Sequence, residues 1–413
     1  MKKSWTVLAV ALGLLAAACQ PSAQQPSATP TVRLARPSAT RPAQPSPSAT
    51  LSPTPPPSAT PRPVGPAYFP GYNPLTGLPI GPRLLRRAPL LVSITNFPPS
   101  ARPQAGLSQA DHVWETSIGQ GLTRFLAVYF GDYPQRLSEL APGADLPYDF
   151  VIGPIRSGRV VFDDIRAFYP GGLIVTRAAS AQVLPELGKQ LTVNALNPDD
   201  VNSAGLRLAD LPGLPLDPAQ PASYAGLSFD HRIPAGGSPG LELSLIYNLF
   251  AQFQWTYDSA SGRYLRWQDM VDGNGQLGPQ IDRLTGQQLA FDNLVVLFAD
   301  HKLQNLEGTI IEIELRFVPA RFGLVFRDGR RYPITWSSER SALRLFDEDG
   351  RPLALRPGQT FFEVFGFEST WDGESVVRYH SPPLPTLTIT PTFTVSPTVT
   401  VTPTETGTAT PEP

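Results

Sequence analysis

The chain has 413 residues and a formal net charge of −2 at pH 7, and it contains 48 prolines but only one cysteine. A nearly neutral chain has no global basic field for DNA or RNA, so we predict no nucleic-acid partner. One cysteine excludes an intrachain disulfide, and the four histidines are far apart in sequence, so we predict neither a metal site nor a cofactor.

The N-terminal segment MKKSWTVLAVALGLLAAACQ has the order of a secretory signal. Two lysines precede an uncharged apolar run that is short for a membrane-spanning helix, and small residues lead into Cys19. The residues before Cys19 resemble the lipobox of bacterial lipoproteins, in which cleavage leaves the cysteine bearing lipid. We predict that residues 1–18 are a signal peptide and that lipidated Cys19 anchors the exported protein on the extracytoplasmic face of the cell membrane. A plain signal peptide with a chance cysteine is the alternative.

Both ends of the predicted mature chain lack the apolar residues needed to bury a core. Residues 19–66 consist mainly of proline, serine, threonine and alanine. Residues 381–413 are rich in threonine, with prolines at positions 385, 391, 397 and 403 that would interrupt any strand ladder. The sequence predicts a disordered, lipid-anchored linker and a disordered C-terminal tail on either side of a folded region.

Residues 67–235 contain short apolar segments and one helical pattern. LLVSI (90–94), DHVWE (111–115) and GLTRFLAVYF (121–130) favour strands because they are rich in β-branched or aromatic residues. In SGRVVFDDIRAF (157–168), Val161, Ile165 and Phe168 have the spacing of one helix face, and LIVT (173–176) predicts the next strand. This order predicts an α/β, or α+β, N-terminal domain.

Residues 240–378 change to a succession of short strand patterns. Segments such as LELSLIYN, NLVVLFA and FGLVFRDGRRYPITW alternate or run apolar between turn sequences. We predict a mainly β C-terminal domain, which follows a connector rich in proline and glycine.

Two acidic residues, Asp111 and Glu115, are candidates for catalysis. Alternate residues of a strand point to the same face, so the two carboxylates are placed to flank a substrate, as the pair of a glycoside hydrolase does. In the alternative interpretation, each carboxylate forms an ion pair within the same domain. The arginines available for such pairs are Arg102, Arg124, Arg156 and Arg159.

Ser157 lies between Arg156 and Arg159, immediately before the helical pattern. One interpretation is an N-cap, in which the serine hydroxyl accepts a hydrogen bond from the first turn of the helix. A second is an anion-binding site formed by Arg124, Arg156, Ser157 and Arg159, because guanidinium groups bind oxyanions. The third is a nucleophile, although neither a GxSxG elbow nor a neighbouring histidine accompanies Ser157.

Several blocks of the folded region resemble a known bacterial family. NPLTG (73–77), ARPQAGLSQADHVWE (101–115), GLTRFLAVY (121–129) and IGPIRSGR (152–159) are similar to successive blocks of the YerB-like lipoproteins, the DUF3048 family. YDSASGRYLRW and NLVVLFADH are similar to blocks of its second domain. The chain departs from the family at Gly158, where alanine is usual, and at FDHRIP (229–234). The resemblance implies two consecutive domains and no specific reaction.

We therefore expect an extracytoplasmic, lipid-anchored protein that acts as a binding or scaffold module of the cell envelope. Its expected partners are the membrane, through Cys19, and an anionic envelope polymer or another envelope protein. The alternative function is hydrolysis of a wall glycan or a phosphate-containing polymer by Asp111 and Glu115.

We expect replacement of Cys19 with alanine to release the protein from the membrane or to leave its signal uncleaved. The reason is that stable anchoring of a protein requires two lipid chains or an equivalent second signal, and lipidation of Cys19 would supply them. Cell fractionation followed by immunoblotting measures both outcomes, and Ser22→Ala in the same segment is the control. Unchanged processing and membrane association of the Cys19→Ala variant would contradict the prediction.

Overall fold

The computed structural model describes residues 62–134, 148–270, 275–338 and 342–385. The predicted signal peptide, Cys19, and most of the predicted linker and C-terminal tail lie outside these ranges. Regular structure in the described residues is mostly β-sheet. None of the helices in these ranges has the length and apolar composition needed to cross a bilayer.

The described residues of the first half of the chain contribute seven strands and one α-helix. The strands are β1 (Leu90–Thr95), β2 (His112–Gly119), β3 (Leu122–Tyr129), β4 (Leu173–Thr176), β5 (Gln190–Thr192), β6 (Ser228–Phe229) and β7 (Ser238–Pro239), and the helix is α1 (Val161–Arg166). Short 3-10 helices occupy Pro99–Ala101, Leu107–Gln109, Leu184–Glu186, Leu208–Gly213 and Pro221–Tyr224.

The described residues of the second half contribute only strands. They are β8 (Glu242–Asn248), β9 (Ala251–Asp258), β10 (Arg263–Asp269), β11 (Leu277–Pro279), β12 (Ala290–Phe291), β13 (Asn293–Ala299), β14 (His301–Leu303), β15 (Ile311–Ile313), β16 (Arg321–Arg327), β17 (Arg330–Ser337), β18 (Arg344–Phe346), β19 (Ala354–Leu355), β20 (Thr360–Gly366), β21 (Thr370–Trp371) and β22 (Val376–Arg378).

The larger of two main sheets contains strands from both halves of the chain. Its eleven strands have the order β18-β17-β16-β13-β20-β2-β3-β1-β4-β5, with β7 beside β17. Parallel pairing of β2 with β20 joins the two halves at the centre of this sheet. The second sheet has seven strands in the order β11-β10-β9-β8-β22-β21, with β12 beside β10.

The mainly β prediction for residues 240–378 is confirmed, whereas residues 67–235 are less helical than an α/β domain. The described part of the latter range contains one α-helix, which has six residues and begins at Val161 rather than Ser157. The preceding residues are extended because their backbone bonds neighbouring strands: the Arg156 amide donates to Ser93 O and the Gly158 amide donates to Ala178 O. Parallel pairing of β4 with β1 and β5 is the α/β feature that is present.

The two faces of the larger sheet bury different hydrophobic clusters. On β2, Val113 belongs to a cluster that also contains Phe253 and Trp255 of the seven-stranded sheet. The next residue, Trp114, belongs to a cluster that contains Phe162 of α1. Successive strand residues point to opposite faces, so covering both faces makes every residue of β2 buried.

A buried ion cluster links the two sheets. Arg266 of β10 donates through Nη1 to Glu363 of β20 at 2.9 Å and through Nη2 to Glu115 of β2, and all three side chains are fully buried. The rings of Phe253 and Phe361 lie 4.5 and 4.8 Å from the guanidinium carbon of Arg266. Burial, and then repulsion by Glu115, raise the pKa of Glu363 well above its usual range.

We expect Arg266→Met to lower the free energy of unfolding by about 3–5 kcal/mol, because it leaves two buried carboxyl groups without their shared cation. The control is Arg351→Met, which breaks an ion pair with Asp349 whose side chains are 74% and 66% exposed. That variant is expected to cost about 0–1 kcal/mol. Urea denaturation of the purified proteins measures both changes. Equal losses in the two variants would contradict a linking role for Arg266.

Candidate anion-binding site

Residues 154–158 occupy the gap where the parallel strands β1 and β4 separate. These strands are paired as far as Val92 and Val175. Beyond that point, the Arg156 amide donates to Ser93 O at 2.9 Å, and the amide of Arg177, just after β4, donates to Arg156 O at 3.0 Å. The carboxyl ends of parallel strands are the usual position of ligand sites in open mixed sheets. The Arg-Ser-Gly-Arg sequence therefore lies at such a position.

A buried arginine from β3 reaches this segment. Arg124 is 6% exposed, and its Nη1 donates to Ser157 O at 2.9 Å. The hydroxyl of Ser93 donates to the same carbonyl at 3.1 Å. The structure thus brings together the four residues of the predicted anion site, Arg124, Arg156, Ser157 and Arg159, which we call the arginine pocket.

Within the described residues, the three arginines of the pocket form no ion pair with a carboxylate. Arg156 Nη2 donates to the side-chain oxygen of Asn202 at 3.3 Å, and Arg159 Nη1 donates to Gly158 O at 3.0 Å. The Nε atom of each of the three arginines is buried and lacks a hydrogen-bond partner in the same part of the chain. The pairing that the sequence suggested between these arginines and Asp111 or Glu115 is therefore wrong.

Burial is the main cause of the lowered pKa values of the three arginines, and repulsion between cations adds to it at Arg124 and Arg156. Burial lowers the pKa of Arg124 well below its usual value, and repulsion by Arg159 and Arg156 lowers it further. Burial also lowers the pKa values of Arg159 and Arg156. For Arg156, repulsion by Arg177 adds to this effect and attraction by Asp200 opposes it. The protein does not neutralise the cluster with a partner of its own among the described residues.

Two threonines beside the pocket have hydroxyl groups with no hydrogen-bond partner in the described chain. Thr116 and Thr176 are fully buried, and both Oγ1 atoms are unsatisfied. Thr116 is the cross-strand neighbour of Arg124. Thr176 lies against Gly158, because a Cβ atom on Gly158 would be 3.2 Å from Thr176 Cγ2. Neither threonine was predicted from the sequence, although Thr176 is the last residue of β4 and Thr116 lies within β2.

Ser157 and Gly158 have structural roles that differ from the sequence expectation. The N-cap of α1 is Val160, which makes no side-chain capping bond, so Ser157 does not cap this helix. Its carbonyl instead accepts the hydrogen bonds from Arg124 and Ser93. A Cβ on Gly158 would lie 2.4 Å from Leu187 Cδ1, so a larger residue at this position would require the Leu187 side chain to shift.

Glu115 is part of the ion cluster between the sheets rather than of a cleft. Besides Arg266, it accepts hydrogen bonds from the side chains of Asn96 at 3.1 Å and Thr123 at 2.5 Å. Its side chain has no exposed surface. Its ion-pair partner, Arg266, comes from the second half of the chain and is none of the four arginines that the sequence suggested.

Asp111 has a different environment, immediately before β2. Its carboxylate accepts hydrogen bonds from the Asn73 side chain at 2.8 Å and the Phe130 amide at 2.6 Å. Burial raises the pKa of Asp111 to about 7, an effect that these hydrogen bonds oppose. Asp111 borders a cavity of about 370 Å³ whose polar lining also includes Asn73, Thr76, Gln109, Asp132 and Gln359. Glu115 does not line this cavity, so the two carboxylates do not flank one substrate.

The comparisons with known proteins agree on one family. Residues 75–209 match the model of the DUF3048 N-terminal domain and residues 243–362 match that of the DUF3048 C-terminal domain, each described as a protein of unknown function. A protein of Bacillus subtilis (strain 168), named "Putative lipoprotein YerB", is 25% identical over 320 residues, which are 70% of this chain and 85% of that protein. The crystal structure of the YerB protein from Bacillus subtilis has a similar fold, with a TM-score of 0.55 and 23% identity over 71% of this chain and 96% of that one.

We expect Asp111 to make the stability of the protein depend on pH. Its folded-state pKa of about 7 lies above the usual aspartate value of 3.8, so its contribution to stability is lost as pH rises from about 4 through about 7. The stability of the native protein relative to Asp111→Asn should therefore fall over this range. Urea denaturation at a series of pH values measures the difference, with Asp132→Asn, an exposed neighbour at the same cavity, as the control. A pH-independent difference would show that Asp111 does not titrate in this way.

Proposed function

The chain belongs to the DUF3048 family, whose description gives no reaction, and from its arginine pocket we propose that it is an envelope protein that binds an anionic group. In this proposal the protein is exported and held at the membrane by lipidated Cys19. The arginine pocket binds the anion on the folded region. The partner is an anionic envelope polymer or an envelope protein that carries such a group.

The observation that carries this proposal is the unpaired charge of the arginine pocket. A buried cation that lacks a counterion raises the free energy of the folded state unless an anion offsets it. Each unsatisfied buried donor adds a desolvation cost of about 1–3 kcal/mol. Arg124 carries both costs, and the buried Nε atoms of Arg156 and Arg159 carry the second, whereas Arg266 in the same protein has two carboxylate partners. An oxyanion from outside the chain would supply the missing counterion and accept hydrogen bonds from the unsatisfied donors.

The position of the pocket is compatible with a ligand that arrives from solvent. Arg156, Ser157 and Arg159 are partly exposed, while Arg124 lies deeper on the sheet. Guanidinium groups bind phosphate, sulfate and carboxylate groups through paired, charge-assisted hydrogen bonds. An anion from solvent would therefore contact the two outer arginines, Arg156 and Arg159, first.

The membrane attachment rests on the N-terminal sequence and on the relative. The signal-like segment ends at the only cysteine, and the Bacillus subtilis relative is named as a lipoprotein. A proline-rich linker between Cys19 and the folded region would hold the arginine pocket away from the lipid surface. Binding is favoured over hydrolysis because Glu115, one of the two proposed catalytic carboxylates, is inaccessible in its ion cluster.

We expect the double variant Arg156→Gln/Arg159→Gln to bind inorganic phosphate and sulfate at least about tenfold more weakly than the native protein. Loss of one charge-assisted hydrogen bond costs about 1.5–3 kcal/mol, and 1.4 kcal/mol is a factor of ten in affinity. Isothermal titration calorimetry at low salt measures the affinity of the purified full chain in detergent.

The matched control is Arg344→Gln/Arg378→Gln, which removes two exposed arginines from the second half of the chain. Without added anion, the pocket variant should be as stable as the native protein or more stable, because mutual repulsion is reduced. A loss of stability with unchanged anion binding would mean that the arginines are paired internally, and the proposal would then fail.

A further inference from the structure

We propose that the arginine pocket selects a dianionic phosphate group, as found at the end of a phosphomonoester, and that Thr176 is an additional hydrogen-bond donor to it. This inference rests on the proposed function, since it specifies the anion that the pocket binds. It adds a residue that lies outside the four identified from the sequence.

The charge of the pocket favours an anion with more than one negative charge. Three guanidinium groups interact electrostatically, and no carboxylate of the described residues pairs with any of them. A carboxylate or a phosphodiester carries one negative charge, whereas a phosphomonoester carries about −1.5 to −2 at pH 7. Coulombic attraction grows with the charge of the ligand, so the doubly charged group offsets more of the repulsion.

The unsatisfied donors also favour a group with several acceptor oxygens. The buried Nε atoms of Arg124, Arg156 and Arg159 and the Oγ1 atom of Thr176 all lack hydrogen-bond partners in the described residues. A terminal phosphate group presents three strong acceptor oxygens, compared with two in a carboxylate. One phosphate can therefore accept from more of these donors at once.

Thr176 is placed on the same side of the sheet as the pocket. Thr176 is two residues after Ile174 on β4, and Arg124 is two residues before Leu126 on β3, so each shares a face with that neighbour. Because Ile174 and Leu126 belong to the same hydrophobic cluster, Thr176 and Arg124 lie on one face of the sheet. Thr176 is also close to Gly158, because a Cβ built on Gly158 would lie 3.2 Å from Thr176 Cγ2, and Gly158 follows the Ser157 carbonyl that Arg124 contacts. A buried hydroxyl without a partner on this face is a donor that an oxyanion can use.

The charged groups around the pocket permit a test by pH. Besides the three arginines of the pocket, the charged groups among the described residues that act on it are Arg177 and Asp200, and the pKa of Asp200 is below its usual value. Arginine and aspartate side chains ordinarily keep their charges between about pH 5 and pH 8. The second pKa of a phosphomonoester, about 6, lies within that range. A change in affinity over this range therefore reports the ionisation of the ligand.

The test compares glycerol phosphate with two other anions by calorimetry on the full chain in detergent. From about pH 5 to about pH 8, the affinity for glycerol phosphate should rise about tenfold, because the dianionic fraction increases by that factor. Sulfate, which is a dianion throughout, should show no such rise, and dimethyl phosphate, a monoanion, should bind more weakly at both pH values. Equal affinity for all three anions, lost in Arg156→Gln/Arg159→Gln, would overturn the phosphate selectivity while the proposed function stands.

A second measurement tests Thr176. Thr176→Val should reduce affinity for glycerol phosphate about tenfold or more, because a hydroxyl bond to a charged group is lost. It should not lower stability without ligand, since the native hydroxyl has no protein partner in the described chain. Thr192→Val, at the registered position of the neighbouring strand β5, is the matched control and should change neither property. Unchanged affinity in Thr176→Val would overturn its role as a donor.

Two forms of the phosphate group, one on a lipid and one in solution, distinguish the source of the ligand. Phosphatidylcholine vesicles with and without phosphatidic acid present the group as a lipid head, and glycerol phosphate presents it in solution. Recruitment by phosphatidic acid with weak binding of glycerol phosphate supports a lipid source, whereas binding of both supports a soluble or polymer-borne phosphate. Binding of neither at low salt would overturn the inference, and retained sulfate binding would show that the proposed anion site itself had not failed.

Discussion

The pairing of one buried arginine with two carboxylates is the interaction on which the arrangement of the sheets depends. Arg266 comes from the seven-stranded sheet, and Glu115 and Glu363 come from adjacent parallel strands of the larger one. None of the three side chains is exposed, and Arg266 is the cation that both carboxyl groups share, so its removal would leave them buried without a counterion. The cluster thus fixes which strands of the two halves face each other.

The arginine pocket also buries positive charge, but among the described residues no carboxylate pairs with it. Arg124 is nearly as buried as Arg266, but it has a backbone carbonyl as its hydrogen-bond partner instead of a carboxylate. Its nearest cations, Arg156 and Arg159, increase the cost of its charge rather than offset it. The paired charge of Arg266 links the two sheets, whereas the charge of Arg124, unpaired among the described residues, is the feature from which we propose anion binding.

The fold provides the place where such charges can gather. Where β1 and β4 separate, their backbone groups would lack partners, and residues 154–158 supply those partners. The segment that satisfies the backbone also carries Arg156, Ser157 and Arg159 to the end of β3, where Arg124 lies. The backbone hydrogen bonds of residues 154–158 therefore also bring the arginines of the pocket together.

The sequence by itself determined the positions of β1 to β4 and the β character of the second half, because strand patterns are local, whereas an anion site at Arg124, Arg156, Ser157 and Arg159 stays a prediction. Its lipidation site at Cys19 stays a prediction. Only the tertiary structure decided that Glu115 pairs with Arg266, which is 151 positions away, and that Asp111 lies at a separate cavity. It also decided that helix α1 begins at Val161. These outcomes depend on which strands become neighbours, and residue periodicity within a strand carries no information about that choice.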